Sequence, residues 1–404
     1  MSVTLEMIRE ARERIRGAVY ESPCVHSLLL SRLCGCEVYC KLDHLQMTGS
    51  FKERGARNKL MLLPAGQKHA GVIAASAGNH ALGLAYHGEL LGVPVTVVMP
   101  KWAPIVKVSK TRTFGAEVIL FGESFDEAHG HAKKMAAERG LTFVPGFDDE
   151  DIIAGQGTIG LEVMEQVPGV DAVFVPVGGG GLLAGVGTAV KGIRASVKVI
   201  GVEPANAPTL KVSLEKGVPT GVTASATLAD GLAVRQVGTI CLETAKHVLD
   251  DLVLVDEAQI ARAVLQLLEL EKMVVEGSGA VSLAAAVRAK EMGLAGKKVV
   301  LLLTGGNIDV TMLARVIERG MAAEGRLCRV RAQIIDRPGS LAHFTAVLAT
   351  TGASVKQVEH DRDFGPADVS LVGVVCTLET KGFEHIEEVK RALEEAGVRF
   401  SMEK

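Results

Sequence analysis

The chain has 404 residues, of which 48% are hydrophobic, 4% aromatic and 23% charged, and its formal net charge is −3. That length favours two or three domains. A charge so close to neutral argues against a nucleic acid or an anionic membrane surface as a partner.

Small and aliphatic side chains must build most of the core, because aromatic residues are few and 45 residues are glycine. Such a composition favours an α/β fold, in which small residues let helices pack closely on a sheet. Charges interrupt the N-terminal segment, so it does not resemble a secretory signal. The uncharged segment 172–190 contains a proline and six glycines, which predicts a buried strand, a loop and a helix start instead of a membrane span.

The seven cysteines are an odd number, which is most simply explained by free thiols in a cytoplasmic protein. Cys34, Cys36 and Cys40 are close enough in sequence to raise a metal site. No paired CxxC or matching histidine motif accompanies them, so buried or half-buried thiols are the favoured interpretation.

Apolar runs of strand length alternate with segments of helical length, which predicts largely parallel sheets covered by helices. Ligands in such folds bind at the loops that follow the strands. The predicted strands are Val72–Ser76, Val95–Met99, Glu117–Phe121, Ala172–Val177, Lys198–Val202, Leu252–Val255 and Val299–Leu303.

The first candidate site residue is Lys52, which lies in the segment TGSFK just before a predicted helix over 53–62. Ser50 is the candidate N-cap, which places Lys52 in the first helical turn. The positive end of a helix disfavours an ammonium group and lowers the lysine pKa. A neutral amine is the form that Schiff-base chemistry requires. Taken alone, however, Lys52 is more simply interpreted as a solvated lysine on the protein surface.

Three polar, glycine-containing loops follow three of the predicted strands. Ser76–His80 could bind a carboxylate or a ring hydroxyl, although a plain helix cap by Ser76 is the alternative. The backbone N–H groups of Gly178–Leu182 and the helix after them suit a phosphate, although a tight turn without a ligand is the alternative. Thr304–Asn307 is the third loop. Because such loops meet at one edge of a sheet, we expect them to form a single site.

The pattern changes near residues 320–326, and the last 80 residues or so predict a compact βαββαβ unit of ferredoxin-like type. Its expected elements are the strands Cys328–Ile335, Ser354–His360, Val369–Leu378 and Val398–Met402 and the helices Ser340–Thr351 and Phe383–Ala396. The sequence therefore predicts a domain boundary close to Gly325.

Five segments together resemble the fold-type II pyridoxal-5′-phosphate (PLP) enzymes, and threonine ammonia-lyases above all. They are LQMTGSFKERGA (45–56), SAGNHALG (76–83), GGGGL (178–182), ADGLAV (229–234) and TGGN (304–307), in the order of the family. The resemblance implies a catalytic domain over 1–320 made of two parallel-sheet α/β subdomains, the smaller one inserted at about 50–145. It also implies removal of ammonia from L-threonine by β-elimination of water, with L-serine as a second substrate.

The resemblance assigns roles position by position. Lys52 would bind the cofactor covalently and act as acid and base at the substrate Cα. The other cofactor contacts would be Phe51, Asn79, Gly178, Gly179, Gly180, Gly181, Leu182 and Thr304. The substrate carboxylate would lie near Ser76, Gly78, Asn79 and His80, mainly against backbone N–H groups. A hydroxyl from Thr304 at the pyridine nitrogen makes the ring a weaker electron sink than a carboxylate would, which suits elimination.

Several alternatives stay open. Serine racemases carry a second serine in the asparagine loop as a base, and Ala77, which stands there, cannot transfer a proton. Replacement chemistry of the cysteine synthase or threonine synthase type is a weaker enzymatic alternative. A catalytically silent amino-acid sensor is the alternative from another class of protein.

Two acidic residues match positions that the family uses. Metal-dependent relatives carry two carboxylates after a GVEP-like strand; Glu203 matches the first, but Thr209 stands where the second is expected. Hard cations prefer carboxylates. With Glu203 as the one matching carboxylate, we expect no more than a weak site for a divalent or monovalent cation. Glu276 matches an acidic position near the cofactor ring, with a simple helix-start carboxylate as the alternative.

The C-terminal unit, 326–404, resembles an ACT domain, a regulatory module that binds amino acids. The matching turn offers Asp336, Arg337, Pro338, Gly339 and Ser340 as effector contacts. Isoleucine is the expected effector, with valine opposing it, and a role in oligomerisation alone is the alternative. The resemblance further implies a cytoplasmic homodimer or homotetramer.

Overall fold

The computed structural model describes residues 2–362 and 368–403, and the chain divides into two compact units, Met1–Asp309 and Val310–Lys404. The division precedes the boundary expected near Gly325, because the helix Val310–Ala323 packs against the first strand of the second unit. The strand expected from Cys328 begins at Leu327. No helix of the described residues has the length and apolar character needed to cross a membrane.

Helices and strands alternate along much of the chain, and those that begin before residue 310 belong to the first unit. The helices are α1 (Leu5–Ile15), α2 (Leu28–Cys34), α3 (Lys52–Leu62), α4 (Ala65–Ala70), α5 (Asn79–Leu91), α6 (Ile105–Thr113), α7 (Phe125–Arg139), α8 (Glu150–Gln166), α9 (Gly181–Ile193), α10 (Thr209–Lys216), α11 (Thr239–Val248), α12 (Glu257–Glu271), α13 (Gly277–Ala286), α14 (Val310–Ala323), α15 (Ser340–Thr350) and α16 (Phe383–Glu395). The strands are β1 (Cys24–Ser27), β2 (Glu37–Lys41), β3 (Val72–Ala75), β4 (Val95–Met99), β5 (Glu117–Leu120), β6 (Thr142–Phe143), β7 (Ala172–Pro176), β8 (Lys198–Pro204), β9 (Asp251–Val255), β10 (Lys298–Leu302), β11 (Leu327–Ile335), β12 (Ser354–Asp361), β13 (Leu371–Glu379) and β14 (Arg399–Glu403).

The larger sheet of the first unit has the order β1-β2-β10-β7-β8-β9. Its pairs are parallel except for the antiparallel edge pair β1–β2. Val173 and Val300 are register partners and are fully buried, so β7 and β10 end side by side. The loops after these two strands, at residues 178 and 304, therefore lie at the same edge of the sheet, as the sequence predicted.

The smaller sheet is parallel throughout and has the order β5-β4-β3-β6. Every residue of β3 and β4 is buried, which explains the uninterrupted apolar runs in these strands. The loop with Ser76 leaves the end of β3, where Ser76 N donates to Val98 O over 3.2 Å. The two parallel sheets confirm the predicted α/β architecture.

Glycines let the central helices of the first unit approach each other very closely. A Cβ at Gly155 on α8 would lie 2.6 Å from the Cα of Gly55 on α3. A Cβ at Gly185 on α9 would lie 2.6 Å from the N atom of Gly157 on α8. No side chain fits such gaps. The glycines of α3, α8 and α9 therefore allow these helices to pack closely against each other.

The second unit has an antiparallel sheet of order β12-β13-β11-β14, which is the predicted ferredoxin-like arrangement. Burial alternates along β11, so one face of the sheet forms a core and the other faces outward. Phe344 and Leu348 from α15 and Val389 and Leu393 from α16 belong to the same core cluster.

Candidate active site

Backbone hydrogen bonds join the lysine loop to the loop after β10. Phe51 N donates to Thr304 O over 3.0 Å, and Gly306 N donates to Gly49 O over 2.9 Å. Between these bonds, Ser50 forms an isolated antiparallel bridge with Gly305. Two segments about 250 positions apart in the sequence are thus held in contact, and the buried Thr304 lies next to the start of the lysine helix.

The lysine helix begins at Lys52, with Phe51 as its N-cap residue. The prediction of Ser50 as the N-cap is therefore wrong, because the backbone bridge to Gly305 holds Ser50 outside the helix. The Ser50 hydroxyl is buried and has no hydrogen-bond partner in the described part of the chain. The expected place of Lys52 in the first helical turn is correct.

The Lys52 amine points into the protein, where Nζ donates to Gly146 O over 2.6 Å. Burial lowers its pKa to about 8, opposed in part by the nearby Cys241. The Phe51 ring centroid lies 5.1 Å from Nζ. This amine loses its charge far more readily than a solvated lysine does, which suits covalent chemistry with a carbonyl group.

The asparagine loop holds its side chain between two partners. Asn79 Nδ2 donates to Glu276 Oε1 over 2.6 Å, and Asn307 Nδ2 donates to Asn79 Oδ1 over 2.9 Å. Burial and the neighbouring Asp230 raise the pKa of Glu276 to about 7. Glu276 stands at the N-cap of α13 but makes no capping bond. Its carboxylate instead accepts a hydrogen bond from Asn79.

The rest of this loop offers backbone groups. Gly78 N donates to Ser76 Oγ over 3.3 Å. The ring of His80 is committed elsewhere, since its Nε2 pairs with Val144 O over 3.1 Å and burial lowers its pKa to about 3. A Cβ at Gly83 would lie 3.2 Å from the carbonyl carbon of Lys52. Helix α5 thus approaches Lys52 closely, and the His80 ring in its first turn is neutral and held by Val144.

The tetraglycine loop has room only for bare backbone. Gly180 has a φ of 93° and caps α9, a conformation that glycine adopts without strain. A Cβ at Gly179 would overlap the ring of Phe147, and one at Gly180 would lie 2.8 Å from the Cβ of Cys241. The loop ends at the start of α9, where the first N–H groups and the positive end of a 13-residue helix favour an anion.

These groups fit pyridoxal phosphate. The tetraglycine turn could hold a phosphate through N–H groups, and no side chain could occupy that space without displacing Phe147 or Cys241. A buried amine of lowered pKa, Lys52, lies near Cys241, which packs against the same turn. The orphaned hydroxyl of Ser50 is a further polar group in the lysine loop that lacks a protein partner.

The carboxylate of Glu203 caps α10. It accepts from Leu210 N over 2.6 Å, from Lys211 N over 3.0 Å and from Thr209 Oγ1 over 3.2 Å. Thr209 therefore donates to Glu203 and does not complete a ligand set. Within residues 2–362 and 368–403, no cluster of three histidine, cysteine or acidic side chains could hold a metal ion, so the weak cation site stays a prediction.

Sequence reasoning missed a buried ionic network behind the lysine helix. Arg54 Nε donates to Asp43 Oδ2 over 2.7 Å, and Arg54 Nη2 donates to Glu162 Oε2 over 2.8 Å. Lys41 Nζ donates to Glu162 Oε2 over 2.5 Å. Two cations and two carboxylates offset each other there, and they join β2, α3 and α8. The only local signal was Arg54 inside the FKERGA segment.

Two lysines of α6 also escaped prediction. Lys107 Nζ lies 2.9 Å from Asp230 Oδ2, and Lys110 Nζ donates to Asn307 Oδ1 over 2.8 Å. They link the part of the chain that carries the smaller sheet to the ADGLAV and TGGN loops. These contacts lie beside Asn79 and Glu276 at the edge of the site.

In the second unit, the candidate effector residues form the turn between β11 and α15. Gly339 has a φ of 91° and caps α15, which begins at Ser340. Arg337 N donates to Ile335 O over 2.9 Å, with Pro338 between Arg337 and Gly339. Asp336 Oδ1 accepts from Arg362 Nη2 over 3.0 Å. The turn thus presents the N-terminus of α15 beside an ion pair.

Comparison with known proteins agrees with this geometry. Residues 15–305 match the family model described as pyridoxal-phosphate dependent enzyme. An L-threonine ammonia-lyase of Thermotoga maritima is 44% identical over 391 residues, covering 97% of each chain. The processed form of threonine deaminase isoform 2 from Solanum lycopersicum is 37% identical with a TM-score of 0.74, over 78% of this chain and 86% of that one. A serine racemase from Dictyostelium discoideum is 35% identical with a TM-score of 0.73, over 77% of this chain and all of that one. The chain therefore belongs to the pyridoxal-phosphate-dependent enzymes.

Proposed function

We propose that this chain is an L-threonine ammonia-lyase, which converts L-threonine to 2-oxobutanoate and ammonia. The observation that carries the proposal is the buried Lys52 amine. This amine lies near Cys241, and Cys241 packs against the tetraglycine turn. Likeness over 97% of the chain to a protein named L-threonine ammonia-lyase supports this substrate among those of the family.

The site residues keep the roles expected from the sequence. The N–H groups of the tetraglycine turn would bind the cofactor phosphate, and Phe51 would pack beside the ring. Asn79 would bond the ring hydroxyl, with Glu276 and Asn307 fixing its amide. The hydroxyl of Thr304 would face the ring nitrogen.

Pyridoxal phosphate, when bound, withdraws electrons from the substrate α-carbon, so that the α-proton becomes acidic. The Lys52 amine accepts this proton, and the low pKa caused by its burial makes the free base available near neutral pH. The β-hydroxyl leaves with a proton as water. The enamine that is released then takes up water and yields 2-oxobutanoate and ammonia, and L-serine would give pyruvate in the same way.

The substrate carboxylate would lie against the backbone of the Ser76–His80 loop. A neutral His80 ring suits this place, because its pairing with Val144 fixes the start of α5 without adding a charge. Gly78 leaves its surroundings open, since a Cβ there would meet no other atom within 4 Å.

Racemisation is the second candidate activity, favoured by the likeness to the Dictyostelium discoideum racemase. A racemase needs a base on the second face of the substrate, and the methyl group of Ala77 cannot supply one. We therefore expect elimination to exceed racemisation. Cysteine synthase-type replacement by sulfide, threonine synthase-type chemistry on O-phosphohomoserine and a silent amino-acid sensor remain the weaker alternatives.

We further propose that residues 326–404 act as an ACT-like regulatory domain beside a catalytic domain over 1–320. The βαββαβ order and the turn with Asp336 and Ser340 support an amino-acid effector site, with isoleucine as the expected effector and valine opposing it. A cytoplasmic homodimer or homotetramer is the expected form of the enzyme.

Steady-state kinetics on the purified holoprotein test the proposal. L-Threonine, L-serine and 3-hydroxyaspartate are assayed for 2-oxo acid, alone and with isoleucine or valine. The same protein is assayed for D-serine and for products with sulfide or O-phosphohomoserine. We expect threonine to have the highest kcat/KM. Absence of 2-oxo acid from threonine at every effector concentration would refute the enzyme assignment.

A further inference from the structure

A short segment between β6 and α8 contacts several parts of the site at once. This GFDD segment comprises residues 146–149. Its glycine carbonyl accepts from Lys52 Nζ over 2.6 Å. Phe147 lies against the tetraglycine turn, since a Cβ at Gly181 would be 2.8 Å from Phe147 O. The third residue of the segment, Asp148, therefore lies next to groups that contact both the lysine and the turn.

The Asp148 carboxylate caps helix α11 from a distant part of the sequence. Gly238 is the N-cap residue of α11 and offers no capping side chain. Asp148 Oδ2 accepts from Thr239 N over 2.9 Å. Its Oδ1 accepts from Ile240 N over 3.0 Å and from Cys241 N over 3.3 Å. These are the first three N–H groups of the helix, which lack partners within it, and a negative charge is favourable at this positive end.

Gly238 leaves the space that this carboxylate fills. A Cβ at Gly238 would lie 2.2 Å from Asp148 Oδ1, so an alanine there would push the carboxylate away. The φ of Gly238 is −67°, a backbone conformation that any residue adopts. Glycine is therefore needed at this position because of the carboxylate and not because of the backbone.

The start of α11 in turn supports the tetraglycine turn. Gly238 N donates to Gly179 O over 3.1 Å. A Cβ at Gly180 would lie 2.8 Å from the Cβ of Cys241. The turn therefore rests against the residues that the Asp148 carboxylate holds in place.

A run of four glycines depends on such support from outside. Glycine has more backbone freedom than any other residue, and the turn has no side chains that could anchor it. Its N–H groups bind an anion best when they already converge on one point. The bond to Gly179 O and the contact with Cys241 hold the outer side of the turn and so prepare it for the phosphate.

We propose that Asp148 positions the tetraglycine turn for the cofactor phosphate by capping α11. Asp148 acts through the start of this helix, so it is a positioning residue and not a catalytic one. The inference rests on the proposed role of the turn as the phosphate site. Its signature is a loss of affinity that depends on the phosphate group of the ligand.

Two ligands separate the phosphate from the rest of the cofactor: pyridoxal phosphate, and pyridoxal, which lacks the phosphate. Absorbance titration of the apoprotein gives both Kd values, and the ratio of the Kd for pyridoxal to that for pyridoxal phosphate measures the contribution of the phosphate. We expect Asp148→Ala to lower this ratio at least about tenfold, with the Kd for pyridoxal within about twofold of wild type, because only the phosphate loses aligned hydrogen bonds. Asp148→Asn should keep the ratio within about threefold of wild type, since asparagine caps a helix about as well as aspartate does.

A second variant disrupts the cap without removing the carboxylate. Gly238→Ala places a methyl group where Asp148 Oδ1 lies, and we expect the ratio to fall as it does in Asp148→Ala. Asp256→Ala is the matched control, because Asp256 caps α12 through bonds within the first turn of its own helix. That variant loses the same kind of cap and should keep the wild-type ratio.

Several results would overturn the role of Asp148. They are an unchanged ratio in Asp148→Ala or Gly238→Ala, an equal loss of affinity for both ligands, a ratio in Asp148→Asn as low as in Asp148→Ala, and the same fall in Asp256→Ala. If Asp148→Ala does not fold, Gly238→Ala decides. Failure of both to fold would also overturn the proposal, because the cap would then be needed for the fold as a whole.

Turnover separates this inference from the proposed function. A wild-type protein that binds pyridoxal phosphate more tightly than pyridoxal but forms no 2-oxo acid from threonine refutes the threonine assignment and leaves the ratio test intact. An active wild-type enzyme whose ratio is unchanged in Asp148→Ala refutes the role of Asp148 and leaves the threonine assignment intact.

Discussion

Burial alone explains much of the reactivity of Lys52. The amine lies inside the protein and donates to the carbonyl of Gly146, and the cost of burying an ammonium group lowers its pKa to about 8. The start of α3 acts in the same direction, since a helix N-terminus disfavours a positive charge. The lysine is thus prepared as a nucleophile and base before any ligand binds.

The pH dependence of cofactor uptake follows from this pKa. Only the neutral amine reacts with an aldehyde, so the rate constant for uptake by the apoprotein should rise with pH and level off above about pH 8. Stopped-flow absorbance between pH 6 and pH 10 measures it, with Lys52→Arg as a charged, unreactive control. A rate that keeps rising towards the ordinary lysine pKa of about 10.4 would contradict the assigned burial.

Glu276 gives a second prediction at the same scale, on stability. Its folded-state pKa is raised to about 7 by burial and by Asp230, so the folded protein holds a proton that the unfolded chain releases near pH 4.5. Stability from this group is present at low pH and is lost as the pH rises from about 4.5 to 7. Glu276→Gln removes the effect. The Tm of the variant relative to wild type should therefore rise from pH 5 to pH 8, by an amount equivalent to at most about 3 kcal/mol.

The same thermal unfolding series contains its own control. Glu89→Gln changes an exposed acid on α5, and its Tm difference from wild type should stay constant across this pH range. A Glu276→Gln difference that is equally flat would mean that the Glu276 carboxyl ionises as it does in water.

At the scale of elements, the N-termini of several helices contribute residues to the site. Helices α3, α5, α9 and α13 begin at Lys52, Asn79, Gly181 and Gly277. Each follows a short loop, and the positive ends of these helices favour the anionic groups of a phosphorylated amino-acid complex. For α5 and α9, which directly follow β3 and β7, the parallel sheets explain the arrangement, because parallel strands direct their following loops to one edge of the sheet.

The tetraglycine turn predicts a selective loss of cofactor affinity. Gly179→Ala places a methyl group in the space of the Phe147 ring, so the turn must shift and its N–H groups lose their alignment. We expect the Kd for pyridoxal phosphate to rise by at least about tenfold, as the loss of one to two hydrogen bonds implies. Fluorescence or absorbance titration of the apoprotein measures it.

Gly130→Ala is the matched control, because a Cβ at Gly130 on α7 would meet no other atom within 4 Å. That variant should bind the cofactor normally and be slightly more stable, since alanine favours a helix over glycine by about 1 kcal/mol. Unchanged affinity in Gly179→Ala would show that the turn does not bind the phosphate.

At the scale of the whole molecule, the order of elements could be predicted well from the sequence. The apolar runs predicted most strands of the two sheets of the first unit, and the predicted βαββαβ order matches β11 to β14. The edge strand β1, its neighbour β2 and the two-residue strand β6 escaped prediction, because all three are short and include polar residues. Periodicity reports burial over several residues, and such segments carry too few for a signal.

Polar contacts between distant residues could not be predicted from one sequence. Arg54 pairs with Glu162 across 108 positions, and Asn79 pairs with Glu276 across 197. Such pairs depend on how helices pack, which no local pattern encodes. Ser50 failed as a predicted N-cap for the same reason, since its bridge to Gly305 competes with the cap.

The proposed regulation by an amino acid is also tested at the scale of the whole molecule. Isoleucine should raise the KM for threonine if it binds the turn at Ser340 and favours a less active state. Ser340→Ala should weaken this response by about fivefold or more, the low end of an allosteric coupling. Glu394→Gln, an exposed change on α16, is the control and should keep the full response. If isoleucine does not change the KM for threonine, or if the Ser340→Ala enzyme responds to isoleucine as wild type does, the turn is not the regulatory site.

Identification of the lysine that binds the cofactor tests the central claim most directly. The holoprotein is reduced with borohydride, which fixes the cofactor to its amine, and is then digested and analysed by mass spectrometry. We predict that the peptide containing Lys52 carries the cofactor mass and that Lys52→Ala protein carries none. A label on any other lysine, or an unlabelled Lys52 in a protein that binds the cofactor, would contradict the account.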